Sequence, residues 1–194
     1  MRTSNVGYAL LALLAKQPNT AYELAQRARR PLGYFWTAPY GQIHPQLRQL
    51  ADAGLLKVES HPGPGPKDKR VYSITKAGLE ELAAWVLRPP QDEPPRDDML
   101  LKVYAVWVAA PEGARDMVLA QAERHREQIA EYEAQQRKLD EAHPHGARPP
   151  SDPEFGSVAT LRYGIAYQRL RLEWCEWLSN QLQAPKGPAP HRSK

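Results

Sequence analysis

The stretch YGQIHPQLRQLADAGLLKVESHPGPGPKDKRVYSITKAG, residues 40–78, decides the fold class of this 194-residue chain. Ile43, Leu47 and Leu50 stand at helical spacing, and Gly54 follows where a left-handed cap would close that helix. The first part of the stretch therefore predicts a helix with one apolar face.

The second part of the stretch changes its periodicity from helical to extended. Residues 55–60 and 70–74 are short and β-prone, and the residues between them are rich in Pro and Gly. This pattern predicts a two-stranded hairpin. Thr75 can then cap a fourth helix that ends at Pro89 and Pro90.

Two more helices are predicted upstream of residue 40. Apolar residues repeat at helical spacing from Asn5 to Lys16. Thr20 and Glu23 form a capping box that begins a second helix. The order of three helices, a hairpin and a helix is the winged helix-turn-helix arrangement. In this arrangement the third helix enters the major groove and the wing contacts the backbone.

The distribution of charge supports a nucleic-acid partner. Residues 1–90 hold 12 Lys and Arg against 6 Asp and Glu, whereas residues 91–194 hold 14 against 16. A basic N-terminal half predicts double-stranded DNA as the partner. Winged helices also serve as protein-interaction modules, and that alternative stays open. A third interpretation is a helical ligand-carrying protein whose N-terminal part is vestigial.

The residues also resemble a known family, the PadR family of transcriptional regulators, in its longer form with a helical C-terminal dimerisation domain. The matching stretches are 8–14, 21–24, 41–47, 50–55 and 69–78. The resemblance implies a homodimer and, for some members, a small aromatic effector. His44 departs from the family pattern, which usually has Tyr before that proline.

The candidate DNA-binding residues lie on the third helix and around it. Polar side chains near the start of the third helix can read base edges, since a Gln amide pairs with adenine and an Arg with guanine. Cations of the wing and a tyrosine of the second helix are expected to contact phosphate. The candidates are Tyr40, Gln42, His44, Gln46 and Arg48 for bases and Tyr22, Lys67, Lys69 and Arg70 for the backbone.

The C-terminal half carries two long patterns in which apolar spacings of four and three alternate. Such coiled-coil-like seams must pack on another helix, from the same chain or from a partner. We expect a mainly α protein with a winged-helix domain at 1–90, an all-α dimerisation domain at 96–184 and a disordered tail at 185–194. The loop 143–153 is also expected to be disordered. The predicted dimerisation residues are Val118, Ile129, Tyr132, Leu139, Leu161, Ile165, Leu172 and Leu182.

Aromatic residues are numerous in the C-terminal half. Trp107, Trp174 and Trp177 are candidates for binding the small aromatic effector that the resemblance implies. Packing in the core or in an interface is the alternative role for these three side chains.

Other classes of function find little support in the sequence. No Gly-rich phosphate loop, nucleophile elbow or paired-His metal spacing is present, so we expect neither an enzyme nor a cofactor or metal. One cysteine and no apolar run of membrane-spanning length favour a cytoplasmic location without membrane contact. The sequence therefore predicts a repressor that binds a palindromic operator as a homodimer.

Overall fold

The structure of the chain, a computed structural model, describes residues 3–28, 40–62, 69–90, 97–141 and 148–183. The elements in chain order are α1 (Asn5–Lys16), β1 (Asn19–Thr20), α2 (Ala21–Ala28), α3 (Tyr40–Asp52), β2 (Leu56–His61), β3 (Lys69–Ile74), α4 (Lys76–Val86), α5 (Asp98–Tyr104), a 3-10 turn (Val106–Val108), α6 (Pro111–Glu141) and α7 (Phe155–Gln181). The mainly α architecture with a winged helix-turn-helix and a helical C-terminal part confirms the predicted fold class.

Local capping begins α2 and α4 where the sequence predicts. The Thr20 hydroxyl accepts from the Glu23 amide at 3.3 Å, and the Glu23 carboxylate accepts from the Thr20 amide at 2.7 Å. The Thr75 hydroxyl accepts from the Gly78 amide at 3.1 Å. Each side chain satisfies backbone groups that the first helical turn leaves without partners.

The sheet has three strands, one more than the predicted hairpin. Its order is β1-β3-β2 and both pairings are antiparallel. In the added strand Asn19 faces Tyr72 and Thr20 faces Val71. The predicted two-stranded wing is therefore confirmed as β2 and β3, and the two residues ahead of α2 add a third strand to its sheet.

Two glycines fix the turn from α3 into the wing and the start of α4. Gly54 has φ of 72°, the left-handed conformation that the sequence predicts after α3. A Cβ at Gly78 would lie 2.3 Å from the Leu55 carbonyl oxygen and 2.8 Å from Cγ1 of Ile74. The backbone of α4 therefore approaches the end of α3 at a distance that only glycine permits.

Pro45 lies inside α3, beyond its first turn. It is the sixth residue of the helix rather than a residue of the first turn. Because proline has no amide hydrogen, the helix lacks the bond that residue 45 would give to the carbonyl of Gly41.

The described chain divides into two compact units. The first unit is residues 1–92 with 148–160, and the second is residues 93–147 with 161–194. Helix α7 therefore begins in the first unit and continues in the second. Within the first unit, Lys16 donates to a carboxylate oxygen of Glu154 at 2.9 Å. Residues 148–153, which the sequence analysis expects to be disordered, form turns there.

The core of the first unit joins α1, α2, α3 and the sheet. The Tyr8 ring stacks on the Trp85 ring, with centroids 4.5 Å apart, and so ties α1 to α4. The buried apolar residues are Tyr8, Leu10, Leu11, Leu13, Leu14, Ala21, Leu24, Ala25, Ile43, Leu47, Leu50, Leu56 and Tyr72.

The second unit packs α5, α6 and α7 around a smaller core. Helix α5, which the sequence analysis does not predict, contributes Met99 to this core. Asp97 caps α5 by accepting from the Leu100 amide at 3.1 Å. The buried residues are Met99, Val118, Ala122, Cys175 and Leu178.

Candidate nucleic-acid interface

Helix α3 presents a polar face whose position is set by its buried residues. Ile43 and Leu47 pack into the core. Gln42, His44 and Arg48 are exposed on the remaining surface of the helix. His44 and Arg48 stand one turn apart, so they lie on the same side of α3. The exposed surface of α3 thus lies between Gln42 at one edge and His44 with Arg48 at the other, and a ligand that covers this surface can contact all three side chains.

Gln46 is placed differently from the other predicted base-reading residues. Its Oε1 accepts from the Ser4 hydroxyl at 2.8 Å, and its Nε2 donates to Oε1 of Gln49 at 3.0 Å. Both ends of the amide are therefore engaged beside α1. We leave Gln46 out of the base-reading set proposed below.

The wing brings cationic side chains to its open end. In the β2–β3 register, Arg70 faces Ser60 and Lys69 faces His61. Lys69 and Arg70 are exposed, although the Lys69 ammonium also lies 3.6 Å from Oε1 of Glu23. Lys67 and the side chain of Tyr40 lie outside the described residues.

Sequence reasoning missed a second group of charges on the wing. Lys57 of β2 is 68 % exposed and lies 2.7 Å from Glu59, and His61 lies 3.6 Å from the same carboxylate. The hydrogen bond from Lys57 lowers the pKa of Glu59, and Glu59 in turn raises the pKa of Lys57. Alternation of charge along the strand is the sequence signal that could have indicated this arrangement.

Tyr22 of α2 is 64 % exposed, so its side chain is open to solvent rather than buried in the core. The next residue, Glu23, belongs to the capping box. The Thr20 amide and hydroxyl, and then Lys69, lower the pKa of Glu23. A carboxylate thus lies beside the Lys69 cation and offsets part of its charge.

The predicted dimerisation residues pack within one chain. Val118, Tyr132, Leu161 and Ile165 are buried in the second unit, while Ile129, Leu139, Leu172 and Leu182 are half-buried. The two seams meet each other, since Nδ1 of His125 in α6 lies 2.5 Å from Oε1 of Gln168 in α7. Their burial therefore gives no support for a partner chain at these positions.

A different set of apolar side chains is left exposed in the second unit. On α7, Tyr163, Tyr167, Leu170 and Trp177 are exposed at spacings of four, three and seven. The Tyr163 and Tyr167 rings stack with centroids 6.3 Å apart. From α5 and the 3-10 turn the exposed residues are Leu100, Leu101, Tyr104, Trp107 and Val108. We call these nine residues the outer apolar surface.

The candidate effector residues do not share one environment. Trp107 is 82 % exposed and Trp177 is 56 % exposed, whereas Trp174 is half-buried. The Arg171 guanidinium lies 5.7 Å from the centroid of the Trp174 ring and 6.0 Å from that of Tyr167. Sequence reasoning missed Arg171, although its spacing of four from Tyr167 and of three from Trp174 on the predicted helix could have indicated both contacts.

Arg171 also pairs with Asp97, the residue that caps α5. Burial raises the pKa of Asp97, but the Arg171 guanidinium and the Leu100 amide outweigh burial, and the pKa is lowered overall. Cys175, one turn further along α7, is fully buried, and burial raises the pKa of its thiol. That thiol is therefore a core group without the thiolate character that reactivity requires.

The described part of the chain holds neither a cluster of metal ligands nor a membrane-spanning helix. No group of three or more His, Cys, Asp or Glu side chains is placed there to hold a metal ion. No helix among those residues is both long and apolar enough to cross a membrane.

Comparison with known proteins agrees with this geometry at both ends of the chain. Residues 10–84 match the model of the transcriptional regulator PadR-like family, and residues 95–183 match that of the virulence activator alpha C-terminal domain. The negative transcriptional regulator PadR of Bacillus subtilis is 28% identical over 172 residues, which are 87% of this chain and 92% of that protein. A probable transcriptional regulator of Mycobacterium tuberculosis is 39% identical over 82 residues, 42% of this chain and 43% of that protein.

Solved structures extend the likeness over most of the chain. Bacillus subtilis PadR in complex with operator DNA has a TM-score of 0.82 and 25% identity, and covers 93% of this chain and 100% of its own. The same protein in complex with p-coumaric acid has a TM-score of 0.73 and 25% identity over 91% of this chain and 98% of its own. The Vibrio cholerae virulence activator AphA, at 22% identity over 92% of this chain and 98% of its own, has a TM-score of 0.67 and shares the fold.

The fold and the polar face of α3 define the class of the protein, a winged helix-turn-helix transcriptional regulator. Within that class the chain is similar to the PadR-like family, whose model matches residues 10–84, and to Bacillus subtilis PadR over most of its length.

Proposed function

We propose that the chain is a cytoplasmic repressor that binds a palindromic operator as a homodimer and is released by a small aromatic effector. The observation that carries the proposal is the exposed polar face of α3 beside the cationic end of the wing. A Bacillus subtilis relative with the same overall fold is a negative regulator and forms a complex with operator DNA.

On the proposed interface the base-reading side chains are Gln42, His44 and Arg48. Arg48 can bind O6 and N7 of a guanine with two parallel hydrogen bonds, and Gln42 can bind an adenine in the same manner. His44 replaces the tyrosine that the family usually has there and brings a shorter side chain with two ring nitrogens. Tyr22, Lys69 and Arg70 would then fix the register through phosphate contacts.

The outer apolar surface supports the proposed dimer. Large aromatic side chains bury about 150–250 Å² each, and a stable interface needs about 800 Å² from each partner. Its five aromatic residues, Tyr104, Trp107, Tyr163, Tyr167 and Trp177, can supply most of that area. A two-fold dimer would present two α3 helices to the two halves of a palindrome.

The surroundings of Arg171 support an aromatic carboxylate as the effector. An arginine can bind a carboxylate with two hydrogen bonds, and the ring of the ligand can pack on Trp174. Such a ligand would compete with Asp97 for the guanidinium. Trp107 and Trp177 belong to the outer apolar surface in this proposal rather than to the effector site.

Mobility-shift titration with the DNA upstream of the protein's own gene tests the function. We expect a shift with this duplex and a weaker one with a shuffled duplex of equal composition. Affinity should fall by roughly a thousandfold between about 50 mM and about 200 mM salt. If no shift is seen at both the low and the high salt concentration, a winged-helix protein-interaction module is the better description. The exposed apolar residues Leu79 and Val86 of α4, with Leu87 directly after it, favour that second candidate.

Thermal-shift measurements with p-coumaric acid test the effector. Stabilisation of the wild type should be lost in Arg171→Lys and kept in Arg169→Lys, because Arg169 is exposed and paired with Glu133 instead. Equal stabilisation of both variants would place the effector elsewhere.

A further inference from the structure

A cavity of about 240 Å³ lies beside α3, within the first unit. One side of α3 lines it, through residues spaced by three and four positions. Thr3 ahead of α1, the turn after α3 and Glu81 of α4 complete the wall. The lining residues are Thr3, Gln46, Gln49, Leu50, Ala53, Leu55 and Glu81.

The strongest charge in the cavity is the carboxylate of Glu81. Its Oε1 accepts from the Tyr8 hydroxyl at 2.6 Å and from the Arg88 guanidinium at 3.2 Å. Among the described residues, no hydrogen bond is recorded to its other oxygen, Oε2. The hydrogen bond from Tyr8, with the Arg88 charge, lowers the pKa of Glu81. Glu81 is therefore ionised at neutral pH and keeps one oxygen able to accept.

The other polar groups of the cavity are largely committed to each other. Oε1 of Gln46 accepts from Ser4, and Oε1 of Gln49 accepts from Gln46. The remaining wall is apolar, since Leu50 is 3% exposed and Leu55 packs against the core. The cavity thus combines a hydrocarbon wall with one negatively charged group.

We propose that this cavity binds a small organic cation, a primary ammonium group on a short hydrocarbon body. The ammonium would donate to Oε2 of Glu81, and the hydrocarbon would pack on Leu50, Leu55 and Ala53. A charge-assisted hydrogen bond of this kind is about twice as strong as a neutral one. The carboxylate disfavours an anion at the same place. A volume of about 240 Å³ is ample for the five heavy atoms of a butylammonium ion, since one water molecule needs only about 10–15 Å³ of such space.

This site is separate from the proposed DNA-reading set and from Arg171. Gln46 and Gln49 nevertheless belong to the helix that carries Gln42, His44 and Arg48. A bound cation would hold the side of α3 that carries Gln46 and Gln49, together with the hydrogen bond between Ser4 and Gln46. The existence of the site does not depend on DNA binding, so its test can fail or succeed alone.

Titration of the full chain with n-butylammonium, followed by amide NMR shifts, tests the proposal. We expect saturable shifts at Gln46, Gln49 and Glu81, and none of comparable size with 1-butanol or butyrate at the same concentration. Equal responses to butanol, or no saturation at these residues, would overturn the proposal.

Variants separate the carboxylate from general effects of charge. Glu81→Gln keeps an oxygen that can accept from Tyr8 and Arg88 but removes the charge, and we expect about tenfold weaker binding. Glu80→Gln is the matched control, because Glu80 is exposed and pairs with Lys76. Unchanged affinity in Glu81→Gln would contradict the site.

A second variant guards against misfolding of Glu81→Gln. Ala53→Leu keeps the carboxylate and adds three carbon atoms to an exposed position that lines the cavity. The larger side chain should block n-butylammonium, with a melting temperature close to that of the wild type. Binding at wild-type affinity in a folded Ala53→Leu protein would overturn the proposal as well.

Discussion

The hydroxyl of Tyr8 donates a hydrogen bond of 2.6 Å to a carboxylate oxygen of Glu81 and joins the first helix of the chain to the fourth. The Tyr8 ring stacks on Trp85 in the same contact. Burial, and then the Glu81 carboxylate, raise the pKa of Tyr8, while the hydroxyl lowers the pKa of Glu81. One side chain thus connects the apolar core with a charged group of the cavity wall.

Tyr8→Phe should destabilise the chain by about 1 kcal/mol, because it removes the hydrogen bond to Glu81 and the one accepted from Arg88 but keeps the ring. Urea unfolding at neutral pH measures this change, with Tyr22→Phe as the exposed control. The folded-state pKa of Glu81 is lowered, so its contribution is present above the unfolded value near 4.5 and is lost as the pH falls through the folded value. The difference between the variant and the wild type should therefore shrink below about pH 4.5. A constant difference down to acidic pH would contradict this assignment.

Gly78→Ala should lower the free energy of unfolding by about 1–3 kcal/mol, since the new methyl group meets the Leu55 carbonyl oxygen. Gly113→Ala in α6 is the control, because a Cβ there would meet no atom of another described element within 4 Å. Stability of the control should be unchanged or raised by up to about 1 kcal/mol. Thermal melting of the two variants side by side decides the matter, and equal effects would argue against the close approach of α4 to α3.

Arg48→Ala should relax the preference for one base by about 1–3 kcal/mol if Arg48 reads a guanine edge. Competition with duplexes that carry every single-base change in the operator measures this preference. Gln46→Ala is the comparison, and its base preference should match the wild type, because its amide is bonded to Ser4 and Gln49. The reverse outcome would return Gln46 to the interface.

Leu170→Asp should convert the proposed dimer to a monomer. Leu170 is 62% exposed, so the charge would not enter the core of its own chain. Sedimentation equilibrium should give twice the chain mass of 21.9 kDa for the wild type and the single mass for the variant. Leu79→Asp, the same change at an exposed leucine of α4, should remain dimeric. A wild-type monomer at about micromolar concentration would remove the proposed two-fold arrangement.

Features of the fold that depend on neighbouring residues could be predicted from the sequence. The Thr20–Glu23 capping box and the left-handed Gly54 are set by residues within one helical turn of each other. Strand β1 could not be predicted, because Asn19 pairs with Tyr72 across more than fifty residues. Two-residue strands also carry no periodicity of their own.

The candidate site shows the same division. Exposure of Gln42, His44 and Arg48 follows from the helical spacing of Ile43 and Leu47. The position of Gln46 does not follow from this spacing, because its hydrogen-bond partner Ser4 lies at the start of α1, far away in the sequence. A heptad pattern likewise does not determine whether the helix that packs on it belongs to the same chain. In the structure the seams of α6 and α7 pack against each other.

The dependence of operator affinity on salt tests the central claim most directly, namely that the wing and α3 form one DNA-binding surface. We expect a steep linear fall of log affinity with log salt for the wild type. The double variant Lys69→Gln, Arg70→Gln should reduce the slope by about two, one for each lost phosphate contact, whereas Lys76→Gln on α4 should leave it unchanged. The same slope in all three proteins would contradict the claim.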